Sequence, residues 1–184
     1  MGSILNKLIV ICMIFALTGC AAGSWYKAET LTTARLRAVA LDSPNALLAV
    51  IPTASCDPKE QTVLGWFHPS AESFQASRRG FDRRLGMPLS DAYPNNQFAE
   101  HLIDALKPII IFSKGLNFVG PTIYSYSECK KVATFTPLNN HDYEVLFTSS
   151  NKDCKLTLFE IKTEGGYSKR VEAKFDDEKP TCSP

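Results

Sequence analysis

The stretch SRRGFDRRLG, Ser77 to Gly86, places Arg78, Arg79, Arg83 and Arg84 around Phe81. Guanidinium forks pair bidentately with carboxylate or phosphate. The stretch also falls in the longest segment without a sustained hydrophobic period, where binding residues tend to gather. The four arginines are therefore candidates for binding an anionic ligand or a protein partner. Lipid phosphate, lipopolysaccharide, a peptidoglycan carboxylate or an acidic protein face would suit them. The plainer alternative is a solvated loop that keeps the domain soluble beside an anionic membrane. The nearby GWFHPS, Gly65 to Ser70, raises the same question for Trp66 and Phe67, which read either as packing residues or as an exposed recognition patch.

Other chemistry is poorly supported. Hydrolase catalysis by serine or cysteine needs a nucleophile, a base and an orienting acid in contact. The available bases are His68, His101 and His141, and no G-x-S-x-G is present. His141 and Asp142 are adjacent in an expected hairpin turn and do not face one another. Paired carboxylates could serve glycoside hydrolysis, and Glu100 and Asp104 share a face whether the segment is helical or extended. Acidic residues this frequent form such pairs by chance, and Asp176 to Glu178 reads as a solvated end. No C-x-x-C or closely spaced Cys/His pair suggests zinc. The expectation is a non-enzymatic protein with no catalytic residues, no metal and no cofactor.

Cysteine usage points to the compartment. Lys7 is the only charge before Cys20, and Leu8 to Leu17 is continuously apolar. That run is shorter than the ~20 residues of a spanning helix and matches a secretory signal peptide. It closes on Leu17-Thr18-Gly19-Cys20, which resembles the lipobox of bacterial lipoproteins. The resemblance implies cleavage before Cys20, a diacylglycerol thioether on its sulfur and an acylated amine, so that the protein meets the membrane through this anchor. Several acyl chains on one residue make attachment effectively permanent. Ala21 follows, without the aspartate that retains proteobacterial lipoproteins in the inner membrane. The expected location is the outer membrane, on the periplasmic face.

Cleavage would leave 165 of the 184 residues, with 19 basic residues against 19 acidic ones. That is enough for one domain with a sizeable core. The neutral balance argues against nucleic acid as a partner. The organisation expected is a signal peptide over 1–19, a lipidated anchor and linker over 20–30, and one domain over 31–184. Of the six cysteines, Cys12 leaves with the signal and Cys20 carries lipid. Cys56, Cys129, Cys154 and Cys182 remain for two disulfides in an oxidising compartment.

The elements that must position these residues read mainly as strands. KKVATFTP (130–137), YEVLFTS (143–149), CKLTLFEIKT (154–163) and YSKRVEAKF (167–175) alternate with period two, and Glu164-Gly165-Gly166 supplies a tight turn. They read as an antiparallel meander. Cys129 and Cys154 open its first and third strands at one end, which favours Cys129–Cys154 and leaves Cys56 with Cys182. Cys154–Cys182 stays a rival, because the last hairpin returns Phe175 towards the start of its partner. ARLRAVAL (34–41) and the wholly apolar ALLAVIP (46–52) read as a hairpin across Asp42 to Asn45. Residues 68–96 read as a long irregular excursion. In FAEHLIDALKP (98–108), Phe98, Leu102, Ala105 and Leu106 have helical spacing, yet Lys107 to Phe112 must be a strand. Periodicity favours one short helix there, with an extended alternative.

Taken together, ARLRAVA…AVIPTASCDP, LGMP, AEHLIDALKPIIIF and C…ATFTPLNNHDYEVLF…CKLTLFEI resemble a loose family of uncharacterised proteobacterial lipoproteins. Its members show an I-x-A-G-K-P step into a strand, then C…F-x-P-x-x-G-x-x-Y-E-V…C-x-V-x-V. Ile103, Ala105, Lys107 and Pro108 match, with Leu106 standing at the first usual glycine and Asn140 near the second. The resemblance implies a small β-sandwich, supports Cys129–Cys154 and tips Glu100 to Ala105 towards strand. The fold expected is thus a mainly β, antiparallel sandwich of immunoglobulin or transthyretin type. The function expected is that of an envelope lipoprotein acting as a binding or assembly module, with an envelope protein or an anionic envelope component as partner. The alternatives are an accessory lipoprotein of a secretion machine and, least favoured, an envelope hydrolase.

Overall fold

The computed structural model describes residues 25–41, 46–51, 61–67, 84–89, 92–93, 98–118, 126–150 and 153–176. Nine strands follow in chain order: β1 (Thr33–Leu41), β2 (Ala46–Ile51), β3 (Thr62–Phe67), β4 (Phe98–Asp104), β5 (Ile109–Phe118), β6 (Tyr126–Phe135), β7 (Asp142–Ser150), β8 (Asp153–Glu164) and β9 (Tyr167–Ala173). They form a five-stranded sheet in the order β4-β1-β7-β8-β9 and a four-stranded sheet in the order β3-β2-β5-β6. All pairings between these strands are antiparallel except the parallel contact of β1 with β7. The architecture is a β-sandwich, with no helix among the described residues.

Alternation decides which side chains make the core. Leu36, Ala38 and Ala40 of β1, Ile103 of β4, and Tyr143, Val145 and Phe147 of β7 meet Leu48 and Val50 of β2, Leu64 and Phe67 of β3, and Ile109 and Ile111 of β5. A second cluster, Ala49, Ile51, Ile110 and Phe112, lies on the opposite side of the four-stranded sheet, so β2 is buried on both faces, as its unbroken apolar run suggests. Gly115 lets β5 come close to the other sheet: a Cβ there would lie 3.1 Å from the Phe147 ring. Within GWF, alternation separates the aromatics. Phe67 is core and Trp66 is 55% exposed.

Phe98–Asp104 is a strand, the extended alternative, and not the helix that periodicity alone favours. Pairing along β1 buries Ala99, His101 and Ile103 on the inner side, and tertiary pairing outweighs a helical spacing spread over only three turns. β1 and β2 are not a hairpin, because β1 pairs with β4 and β7 while β2 pairs with β3 and β5. One strand has a charged outer face and the other is apolar on both, so they belong to different sheets. For the same reason the four C-terminal strands are not one meander. β7, β8 and β9 are, but β6 lies at the edge of the other sheet, and the turn over 136–141 crosses the sandwich. The expected pairing nevertheless holds. Cys129 and Cys154 form a disulfide with Cα atoms 6.1 Å apart, joining β6 to β8 across the two sheets. This rules out Cys154–Cys182. Cys56 and Cys182 lie outside the described residues.

Candidate functional site

The outer face of the five-stranded sheet carries an alternation of charges that the register matches. β1 presents Arg35 and Arg37, β7 presents Asp142 and Glu144, and the parallel register sets Arg35 beside Asp142 and Arg37 beside Glu144. On the other side of β1, Arg37 stands opposite Glu100 of β4. Arg37, Glu100 and Glu144 are all buried. Arg37 donates from Nε and Nη2 to Glu100 Oε1 at 3.2 and 3.0 Å, and from Nη1 to Glu144 Oε2 at 3.0 Å. Arg170 of β9 donates to both Glu144 oxygens at 2.8 and 3.3 Å, and the Tyr93 hydroxyl donates to Oε1 at 2.6 Å. Burial first, and then the bond to Glu144, push the Tyr93 phenol well above its ordinary range.

These charges escape water because a segment lies over them. Residues 84–89 run across the sheet as a strap without regular structure. Arg37 Nη2 donates to the Met87 and Pro88 carbonyls at 3.1 and 2.7 Å, while Glu100 Oε2 accepts from the Leu85 and Met87 amides at 2.5 and 3.4 Å. Met87 of the strap is buried, as are Val39 and Phe98 of the sheet. Arg84, one of the four candidate arginines, belongs to this strap. Its guanidinium stacks 3.8 Å from the Phe98 ring centroid and donates to the Phe98 carbonyl at 3.0 Å. Arg78, Arg79 and Arg83 lie outside the described residues, as do Phe81, His68 and Cys20.

Four residues further along β4, a second carboxylate fastens a second segment. Asp104 Oδ1 accepts from the Glu29 and Thr30 amides at 3.0 and 2.8 Å and from the Thr30 hydroxyl at 2.7 Å, and Oδ2 accepts from Tyr26 at 3.0 Å. Lys107 Nζ lies 3.4 Å away. Burial by itself would raise this carboxyl; the hydrogen bonds from Thr30, Glu29 and Tyr26 more than offset it and bring the pKa down to about 2. Burial also raises the Tyr26 phenol. Glu100 and Asp104 thus act in separate places, each holding a different segment.

Between the two fastened segments runs a groove of about 600 Å³, lined by Tyr26 to Ala28, Leu31, Arg84, Leu85 and the β4 residues Glu100 to Leu102, among others. Leu31, Leu85 and Leu102 are exposed there. β4 is an edge strand, with β1 as its only ladder partner among the described residues. Its outer edge is closed at one point by Arg84 on the Phe98 carbonyl and at another by the Asp104 amide donating to the Tyr26 oxygen at 3.3 Å. Backbone groups in a strand alternate between its edges, so those of Leu102, between these two points, face the groove.

The histidines do not assemble a catalytic set among the described residues. His101 is buried with Nε2 against the Leu64 carbonyl, and His141 pairs through Nδ1 with Glu160 at 2.7 Å. Asp142 holds Arg35 through two bonds of 2.6 Å. Among the described residues no three His, Cys, Asp or Glu side chains converge as metal ligands would. Sequence reading missed Arg37, Glu144, Tyr93, Tyr26 and Arg170. A usable signal existed in the matched spacings of Arg-Leu-Arg (35–37) and Asp-Tyr-Glu (142–144), which set opposite charges side by side whichever way the two strands run. No protein-family model matches the chain, and no curated protein or solved structure shows significant similarity to it.

Proposed function

We propose that the protein is a cell-envelope lipoprotein, anchored through Cys20 at the periplasmic face of the outer membrane, that works as a non-enzymatic binding or assembly module. The observation that carries the binding reading is the groove along the open edge of β4. Its floor and walls are Leu102, Leu31 and Leu85, with the cations Lys27 and Arg84 among the lining residues. Its flanks are held by buried carboxylates, so the shape exists before a partner arrives, which lowers the ordering cost of binding. An open strand edge with an apolar floor suits an extended peptide segment added as a strand. The nearby cations favour one with acidic residues. The partner is accordingly an envelope protein contributing such a segment. The carboxylates Glu100, Glu144 and Asp104 already accept several donors each, which leaves them to hold structure and not to move protons.

A photoreactive residue at Leu102 tests this in intact cells. A discrete protein adduct is expected. A second probe at Leu85 should give the same adduct and lose it when Leu102→Asp is added. Leu102 is 47% exposed, so that change leaves the core untouched. Absence of an adduct, or one indifferent to Leu102→Asp, removes the groove as the binding element.

A further inference from the structure

One end of the sandwich exposes leucines on three chain segments that are hydrogen-bonded together. The Ala105 amide donates to the Thr32 carbonyl at 3.0 Å, that of Leu106 to the Pro137 carbonyl at 2.8 Å, and that of Asn140 to the Thr33 carbonyl at 2.9 Å. Leu31 is fully exposed, Leu106 is 63% exposed and Leu138 is 50% exposed. Each stands on, or next to, a residue of this bonded set. Leu31 also forms the corner where the groove along β4 reaches this end.

Leu106 is the informative member. Its φ is 64°, in the left-handed region that a side chain disfavours and glycine adopts freely. The position therefore carries backbone strain and an apolar side chain in water at the same time. Glycine would remove both. A strained, outward-facing leucine points to a contact outside the fold.

The place where the N-terminal segment joins the domain says what covers this end. The Tyr26 amide donates to the Val63 carbonyl at 3.0 Å, and Trp25 bridges Val63. Val63 pairs with Ala49, which pairs with Phe112, three residues inside the start of β5 at Ile109. At ~3.3 Å per residue this is about 10 Å from the leucine end and about 20 Å from the other end of β5 at Phe118. Cys20 precedes Trp25 by five residues, a reach of at most about 17 Å. A lipid on Cys20 can thus bring the leucine end to the bilayer, whereas the opposite end lies beyond its reach.

We infer that Leu31, Leu106 and Leu138 form the membrane-resting face of the domain, dipping into the interfacial zone of the bilayer that holds the lipid of Cys20. This rests on the anchoring reading. It fixes an orientation in which β4 and its groove rise from the membrane surface with the groove mouth beside the lipid headgroups.

The test uses the full acylated chain reconstituted in vesicles of phosphatidylethanolamine and phosphatidylglycerol. A benzophenone side chain is placed in turn at Leu31, Leu106, Leu138 and, as a control at the far end, the exposed Lys155 of β8. Lipid adducts are expected at the three leucines and not at Lys155. Equal adducts at all four positions, or none at the leucines, would overturn the inference. So would an adduct joining two copies of the chain in place of lipid. Leu106→Gly separates docking from folding. It should leave the thermal midpoint unchanged or higher, since strain is relieved, while lipid adducts from Leu31 and Leu138 are lost or reduced. Persistence of those adducts at full yield counts against the inference. The mass of the mature N-terminus and flotation with the vesicles report on the anchor separately. An unacylated Cys20 sinks the anchoring reading, whereas an acylated, floating protein without leucine adducts sinks only the orientation.

Discussion

Two carboxylates on β4 do the same mechanical job with different chemistry. Glu100 fastens the strap of residues 84–89, and Asp104 fastens the segment leading from Trp25 into β1; each accepts two backbone amides from the segment it holds. Glu100 does so as part of a buried lattice of charges with Arg37, Glu144 and Arg170. Asp104 relies mainly on neutral donors, with Lys107 at the margin. A lattice of ions is strong as a set and fails badly when one member is removed, because the others remain buried and unpaired. A carboxylate cradled by amides and hydroxyls loses only its own bonds. The two clamps should therefore differ in how they break.

The largest expected effect is that of Arg37→Met. It leaves Glu100 and Glu144 facing each other's charge beneath the strap and should destabilise the fold by about 3–5 kcal/mol. A shift of the denaturant midpoint at constant slope measures it, and the amides of Leu85 and Met87 should lose hydrogen-exchange protection first. If the loss is under about 1 kcal/mol, water reaches these charges and the lattice reading is wrong.

Asp104→Ala should cost less, about 2 kcal/mol, and should free the amides of Glu29 and Thr30 without disturbing those of the strap. Asp104 lies four residues along β4 from Glu100, roughly 13 Å away at strand spacing. Combined with Arg37→Met, it should therefore give an additive loss, within about 0.5 kcal/mol. Coupling well beyond that would mean that the two segments, which both line the groove, support one another.

Part of this contrast is legible in the sequence and part is not. Strand alternation identifies β7, β8 and β9, because each has a repeated apolar face, and an unbroken apolar run marks Ile109 to Phe112. Alternation also places Cys129 and Cys154 at one end, which favours their pairing without excluding Cys154–Cys182, and the disulfide forms even though β6 belongs to the other sheet. What alternation cannot reveal is which strand pairs with which. The contacts of β1 with β4 and β7 span some 60 to 110 residues of chain, and nothing local to Arg37 says that Glu100 and Glu144 will flank it. The strap resisted reading for a related reason. It has no period of its own and is fixed by partners on the sheet below, so Arg84 reads as a free fork when it is in fact stacked on Phe98.

Acid and alkali separate the clamps further. The Asp104 carboxyl, held at about 2 against an ordinary 3.8, contributes stability that is fully present above the unfolded value. That contribution is lost as pH falls through the folded one. About 2 kcal/mol should therefore disappear between roughly pH 4 and pH 2, and Asp104→Asn should flatten that part of the stability profile. In alkali the sign reverses and both clamps take part. Tyr26 and Tyr93 have phenols raised above 10 in the fold, so their contribution is complete below pH 10 and declines above it, as the unfolded chain ionises first. A profile of unfolding free energy against pH for the wild type and Asp104→Asn measures both limbs.

The smallest expected effects come from the hydroxyls themselves. Tyr93 donates to Glu144 at 2.6 Å and Tyr26 to Asp104 at 3.0 Å, so each clamp contains one phenol bonded to a carboxylate. Replacing either by phenylalanine keeps the ring and removes one charge-assisted bond, at about 1–2 kcal/mol. The consequences should nevertheless diverge. Glu144 retains Arg37 and Arg170 when Tyr93 is changed, so Tyr93→Phe should fall at the low end of that range and leave the acid limb of the profile intact. Asp104 loses with Tyr26 a donor that helps keep its carboxyl low. Tyr26→Phe should therefore also move the acid limb to higher pH. If both variants leave the acid limb where it was, the amides and hydroxyl of Glu29 and Thr30 alone depress Asp104, and the lead-in clamp consists of those three donors.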